Sequence, residues 1–310
     1  MESDEKIFLI GQGVTSPWYV GTTTVGLVDR FGKARVIDTP VSENAITGVG
    51  AGSAIAGMRP IVEHPRMDFM HLAMDQIANQ IANWYFMFGK KVNVPITIWG
   101  IINRGGEQAA QHSQALQAVF AHIPGLKVVA PSTPYDVKGL LISSVYDENP
   151  VVFIDDRWLY KISGNVPNSI YKVPIGRGVI RKEGKDITFI ASSFMVHEAL
   201  IAASKLENYG YNVEVIDLRT LKPLDEDLIF SSVKKTGRAL VIDGGWKTCG
   251  FAAEISALLL ENVFEYIKSP VLRITLPDIP APASHELEKY YYPNNETIIK
   301  ETLQLLKGSG

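Results

Sequence analysis

The sequence predicts an α/β protein of two domains, each a mainly parallel sheet covered by helices. Short apolar strands alternate with segments of helical period along the chain, the pattern of parallel sheets buried on both faces by crossover helices. The alternation breaks once. Residues 159–180 contain Gly164, Pro167, Pro174 and Gly176 with no period, which predicts a linker between a domain at 1–158 and another at 181–310.

In the first half, Lys6 to Ile10 reads as a buried strand ending at Gly11, and Thr22 to Phe31 as a short helix stopped by Gly32. A strand at Val36-Ile37 leads through a turn to a helix ending near Ala56, and a strand follows at Arg59 to Val62. Met67 to Phe88 reads as one long helix. Met70, Ala73, Met74, Ile77, Ile81, Trp84 and Phe88 share a face of it, as core or subunit interface. Then come a strand at Val94 to Trp99, a glycine-bearing polar loop at Asn103 to Gln108 and a helix at Ala110 to Phe120. A strand at Leu126 to Ala130, a helix from Thr133 to about Tyr146 and a strand at Val151 to Ile154 close this half. In the second half the strands are Ile187 to Ala191, Val213 to Leu218, Ala239 to Ile242 and Val271 to Leu276. The helices are His197 to Tyr209, Asp225 to Val233, Phe251 to Phe264 and Glu296 to Leu306.

Composition narrows the function classes. With 46% hydrophobic and 20% charged residues in 310, the chain is globular and long enough for two cores. A net charge of −3 argues against a nucleic-acid surface. No apolar run reaches membrane-spanning length. The N-terminal MESDEKIFLIGQG is acidic and lacks the pattern of a secretory signal. The single cysteine, Cys249, excludes an intrachain disulfide, fits a reducing compartment and reads as a small buried hydrophobe. The expectation is a cytoplasmic protein without membrane or nucleic-acid partners.

One stretch organises the rest: Val36 to Ile61, strand, turn, helix, strand, with Glu43 at the turn. Such turns lie at the carboxyl ends of parallel strands, where ligands bind. By itself Glu43 also reads as a first-turn acid complementing the helix dipole behind a Ser42 cap. The segment DTPVSENAITGVGAGSAIAGMRPIVE from Asp38 resembles the region around the cofactor-activating glutamate of β subunits of thiamine-diphosphate-dependent 2-oxoacid dehydrogenases, and the pyrimidine-binding domain of transketolase-like enzymes. KVVAPSTPYDVKGLL, DENPVVFIDDRWLY, LRTLKPLD and DGGWKTCGFAAEISALL extend the resemblance over nearly the whole chain. It implies a pyrimidine-binding domain followed by a transketolase C-terminal domain.

The resemblance also implies roles. Glu43 would hydrogen-bond N1′ of the cofactor's aminopyrimidine, Phe69 would stack on that ring, and His112 in the HSQ motif would line the reaction centre. An ordinary core Phe and a structural His are the competing readings. His64 and His71, flanking Phe69, are candidate substrate contacts. Asp147 and Asn149, with carbonyls of Ser144 and Val145, align with a loop that binds potassium in several β subunits; an Asx turn explains the same residues. Two departures stand out. The first strand ends in Gly11-Gln12-Gly13-Val14 without an acid, and the loop before His112 carries Arg104 and Glu107. A guanidinium there suits a carboxylate or a phosphate, and a polar pocket suits a hydroxylated, sugar-like donor. The G-D-G…N motif that holds diphosphate and Mg2+ is missing; Asp243-Gly244-Gly245 lacks the asparagine spacing. The expectation is therefore half a site, completed by an α-type subunit in an α2β2 assembly. That enzyme would decarboxylate a 2-oxoacid and pass the acyl unit to a lipoyl group on an E2 partner. The rivals are a split transketolase-like enzyme and a non-catalytic structural subunit.

Overall fold

The structure is a computed structural model and describes residues 1–16, 23–106 and 108–307. Its chain contacts form two compact units. One comprises 1–104, 119–129 and 134–175; the other comprises 105–118, 130–133 and 176–310.

The first unit holds six parallel strands in the order β5-β6-β4-β3-β1-β2. They are β1 (Ile7–Gln12), β2 (Val36–Thr39), β3 (Arg59–His64), β4 (Thr97–Ile102), β5 (Lys127–Val129) and β6 (Val151–Asp156). All of β4 and β6 is buried, as expected of central strands covered on both faces. The helices are α1 (Leu27–Phe31), α2 (Glu43–Ile55), α3 (Ala82–Met87), α4 (Gln117–His122, which runs out of the second unit) and α5 (Pro134–Val145). Small residues let α2 lie close on β3: a Cβ on Gly50 would stand 2.4 Å from Val62 Cγ2.

Three expectations change here. The long helix over 67–88 is broken into a 3-10 stretch at Met67–Ala73, a π-helical stretch at Asp75–Ile81 and α3. The Asn83 side chain bonds the carbonyls of Ala78 and Asn79, which suits the wider winding. Of the apolar stripe, Met70, Ala73, Ile77 and Ile81 are buried, while Phe88 at the end is exposed. The helix expected at 110–120 starts only at Gln117, because Ala109 takes a left-handed φ of 60° and the chain turns at His112. The strand expected at 94–99 runs over 97–102 instead; the apolar run Thr97 to Ile102 continues into the sheet. Of the helix expected at 22–31, Thr22 lies outside the described residues and only 27–31 is helical.

The second unit is a five-stranded sheet, β12-β11-β8-β9-β7, parallel except for β7 against β9. Its strands are β7 (Val179–Lys182), β8 (Ile187–Ala191), β9 (Val213–Asp217), β11 (Ala239–Trp246) and β12 (Leu272–Leu276), with the short β10 (Thr220–Lys222) beside them in sequence. Helices α6 (Met195–Glu207), α7 (Glu226–Thr236), α8 (Phe251–Val263), α9 (His285–Tyr291) and α10 (Asn295–Lys307) complete it. Segment 130–133 is tied into this unit. Ser132 Oγ donates to buried Asp217 at 2.5 Å, and the His197 ring meets the Ser132 carbonyl at 2.7 Å. Cys249 is exposed rather than buried, in the turn between β11 and α8.

Candidate active site

The carboxyl edge of the first sheet gathers acids that the sequence analysis passed over. In the register Gly11 lies between Asp38 on β2 and Glu63 on β3. A Cβ on Gly11 would come within 2.6 Å of the Glu63 carbonyl and 3.0 Å of Glu63 Oε2, so glycine is what admits the carboxyl there. Glu63 is fully buried and neither side-chain oxygen has a hydrogen-bond partner among the described residues. Burial raises its pKa well above the carboxylate range; neighbouring Arg157 opposes this and Asp155 adds to it. Asp155, near the end of β6, is pushed up to about 6, again chiefly by burial, and accepts the Tyr160 hydroxyl at 2.8 Å. The signal was present: each acid ends an otherwise apolar run, and such positions read as strand ends rather than turns only when the sheet is known.

Glu43 opens α2 and is 6% exposed. Its side chain makes no hydrogen bond or ion pair among the described residues, and the Ser42 side chain does not cap the helix. A buried, unpaired carboxyl at a strand-to-helix turn is not a mere dipole complement. It has the chemistry to share a proton with a nitrogen base brought against it. Phe69 is half-buried on the 3-10 stretch that follows β3, and His71 on the same stretch is exposed.

Three candidates are placed otherwise than expected. His64 is a buried ring, not a substrate contact: its Nε2 meets Thr47 Oγ1 of α2 at 3.1 Å, and burial lowers its pKa to about 4, so it stays neutral. Arg104 is buried inside the first unit, where it donates to Asp156 Oδ2 at 2.6 Å and lies over the Trp158 ring. That guanidinium is a structural ion pair rather than an anchor for a carboxylate or sugar-like donor. Protein cations reach part of the loop expected to bind potassium, while Asn149 Oδ1 is buried without a hydrogen-bond partner among the described residues. Arg59 donates to the carbonyls of Val145 and Asp147, each at 3.1 Å, and Lys127 pairs with Asp147 Oδ2 at 2.5 Å. Asp147 Oδ1 takes the Asn149 amide in an Asx turn, and Ser144 Oγ bonds Leu140. Glu107 lies outside the described residues. His112 is half-buried in the second unit, within segment 105–118.

Comparison with known proteins divides the chain once along the sequence. Residues 1–162 match the family described as "Transketolase, pyrimidine binding domain", and 176–298 match "Transketolase, C-terminal domain". The β subunit of acetoin:2,6-dichlorophenolindophenol oxidoreductase of Bacillus subtilis is 42% identical, over 99% of this chain and 93% of the relative. The pyruvate dehydrogenase E1 component subunit β of Rickettsia bellii is also 42% identical, over 96% and 92%. The 2-oxoisovalerate dehydrogenase subunit β of Bacillus subtilis is 40% identical, over 96% and 92%. Among solved structures, a split-gene transketolase described as an inactive β4 tetramer shares the fold, with a TM-score of 0.79 at 21% identity over 99% of this chain and 93% of that one.

Proposed function

This chain belongs to the β-subunit family of thiamine-diphosphate-dependent 2-oxoacid dehydrogenases, built from the two transketolase-type domains, and from that membership we propose that it forms the pyrimidine half of a cofactor site shared with an α-type subunit. The observation that carries this reading is Glu43, a buried residue at the head of α2 whose carboxyl has no hydrogen-bond or ion-pair partner among the described residues. A carboxyl so placed fits the pyrimidine's N1′, because it can share a proton with a ring nitrogen brought against it. The bound cofactor supplies a nucleophilic thiazolium carbon, which no side chain provides. Glu43 holds the proton at N1′, Phe69 offers a ring face for the pyrimidine, and His112 orients the donor and the incoming acceptor. Diphosphate and Mg2+ fall to the α-type partner in an α2β2 assembly, in keeping with the missing G-D-G…N motif. Potassium is not part of this proposal; Arg59 and Lys127 engage two of the oxygens expected to hold it, the Val145 carbonyl and Asp147 Oδ2.

The reaction is decarboxylation of a 2-oxoacid with transfer of the acyl unit to a lipoyl group on an E2 partner. The sugar-transferring alternative rested on a charged loop at the mouth, and the burial of Arg104 removes that support. The donor follows from a panel. Pyruvate, 2-oxoisovalerate and acetoin are each given to the reconstituted αβ complex with 2,6-dichlorophenolindophenol as electron acceptor, then with a lipoyl domain. Glu43→Gln should cut turnover by roughly 10²–10⁴-fold on the best donor, the range for losing a positioned acid–base group. Unchanged turnover in that variant would defeat the mechanism.

A further inference from the structure

The motif DGGWKTCGF finds no use in the cofactor chemistry, yet its first residue touches the histidine segment. Asp243, 4% exposed on β11, accepts the Gln117 side-chain amide through Oδ1 at 2.6 Å. The same oxygen accepts the Gly245 backbone amide at 3.1 Å. Gly245 is small for a reason: a Cβ there would stand 3.0 Å from Gln117 Nε2 and 3.5 Å from the Ala115 carbonyl. So one end of segment 105–118 is fastened to β11.

The other end is fastened by a phenol. The Gly105 amide donates to Tyr292 Oη at 3.2 Å, a buried bond. Gly105 and Gly106 both take left-handed φ, 70° and 63°, which lets the amide turn toward that oxygen. Tyr292 is itself braced. Its ring packs edge-on to Tyr291 at 4.9 Å and 84°, the Tyr291 hydroxyl donates to the Ile279 carbonyl at 3.0 Å, and Trp246 Nε1 reaches the Tyr291 oxygen at 3.0 Å. His112 lies between the two fastenings, on backbone with no regular structure of its own. An irregular segment holds a side chain to sub-ångström accuracy only if its ends are fixed.

We propose that Asp243 and Tyr292 are positioning residues for His112, pinning the two ends of segment 105–118 to the second unit. The proposal takes the role of His112 from the function proposed above, and its test separates the two. In the complex with the α-type subunit, amide hydrogen exchange over 105–118 is measured together with kcat, the donor KM and the pH profile. Variants are Asp243→Ala, Asp243→Asn, Gln117→Ala, the Asp243→Ala/Gln117→Ala double and Tyr292→Phe. Asp243→Ala and Gln117→Ala should each speed exchange in 105–118 by ~10-fold or more, leaving β8 and α8 unchanged. Each should lower kcat by ~10–100-fold, the cost of ångström-scale misplacement, with donor KM within about 3-fold. The double variant should be no worse than Asp243→Ala alone, because that variant already removes the bond to Gln117. Asp243→Asn keeps an oxygen acceptor and should stay within about 3-fold of wild type. Tyr292→Phe should loosen the Gly105 end alone. Unchanged exchange in Gln117→Ala and Tyr292→Phe would overturn the anchoring. Faster exchange with undiminished kcat would overturn the positioning. If His112→Ala itself retained full turnover, the functional reading would fail whatever the exchange data say.

Discussion

Arg104 and Asp156 form an ion pair with 3% and 0% side-chain exposure. Removing one member strands a buried charge, so Arg104→Ala should destabilise the protein by about 3–5 kcal/mol, whereas replacing both residues by apolar ones of similar size should recover most of it. Urea midpoints of the three variants read this directly. His64 and Asp155 are linked to pH with opposite signs. The His64 ring, lowered by burial to about 4, contributes stability present above its ordinary value near 6.5 and lost as pH falls through 4. The Asp155 carboxyl, raised by burial to about 6, contributes stability present below its ordinary value near 3.8 and lost as pH rises through 6. Between pH 4 and 6 the two offset each other. Against wild type, His64→Gln should therefore gain stability on acidification and Asp155→Asn should lose it, each by roughly 3 kcal/mol over the window at about 1.4 kcal/mol per pH unit. Urea midpoints at pH 4, 5, 6 and 7 check the signs; a His64→Gln curve parallel to wild type would mean the ring is not held neutral. At this scale the sequence was partly readable. Glu43 stood out by its place in a strand–turn–helix, but whether a charged side chain such as Arg104 faces a ligand or a buried partner depends on Asp156, distant in sequence.

Helix α2 shows how one element can carry two kinds of glycine. A Cβ on Gly50 would collide with Val62 at 2.4 Å, while nothing lies within 4 Å of one on Gly52. Gly50→Ala should cost about 1–3 kcal/mol by overpacking, and Gly52→Ala in the isolated chain should gain up to ~1 kcal/mol of helix propensity. Thermal melts of the pair test the packing directly, since propensity alone predicts the same sign for both. Strands and amphipathic helices were legible wherever the period was strong: β8, β9, α8 and α10 lie within two residues of expectation. The failures fall on elements governed by something other than period. The 67–88 helix kept the middle of its buried stripe but not its winding, β7 straddles the end of the stretch read as linker, and α9 followed a proline-rich segment that gave no apolar rhythm. The acids at the ends of β3 and β6 were hidden for a related reason. Polarity at the end of an apolar run looks like the start of a loop.

At the scale of the whole molecule, two α/β units with mainly parallel sheets were readable from alternation alone, because each strand and its crossover helix are neighbours in sequence. What alternation could not reveal is that the second unit takes in two stretches, 105–118 and 130–133, from the middle of the first half. Their fastenings include single polar side chains meeting partners far along the chain: Gln117 with Asp243, Gly105 with Tyr292, Ser132 with Asp217. The arrangement sets a timetable for biosynthesis. When the ribosome has delivered the first half, the histidine segment has no anchors, and Tyr292 is made only after most of the remaining chain. At a translation speed of roughly 5–20 residues per second, the segment emerges about 10–40 s before its last fastening exists. For that interval residues 105–118 lack their full set of fastenings, and a chaperone or protease meets them before the fold has claimed them.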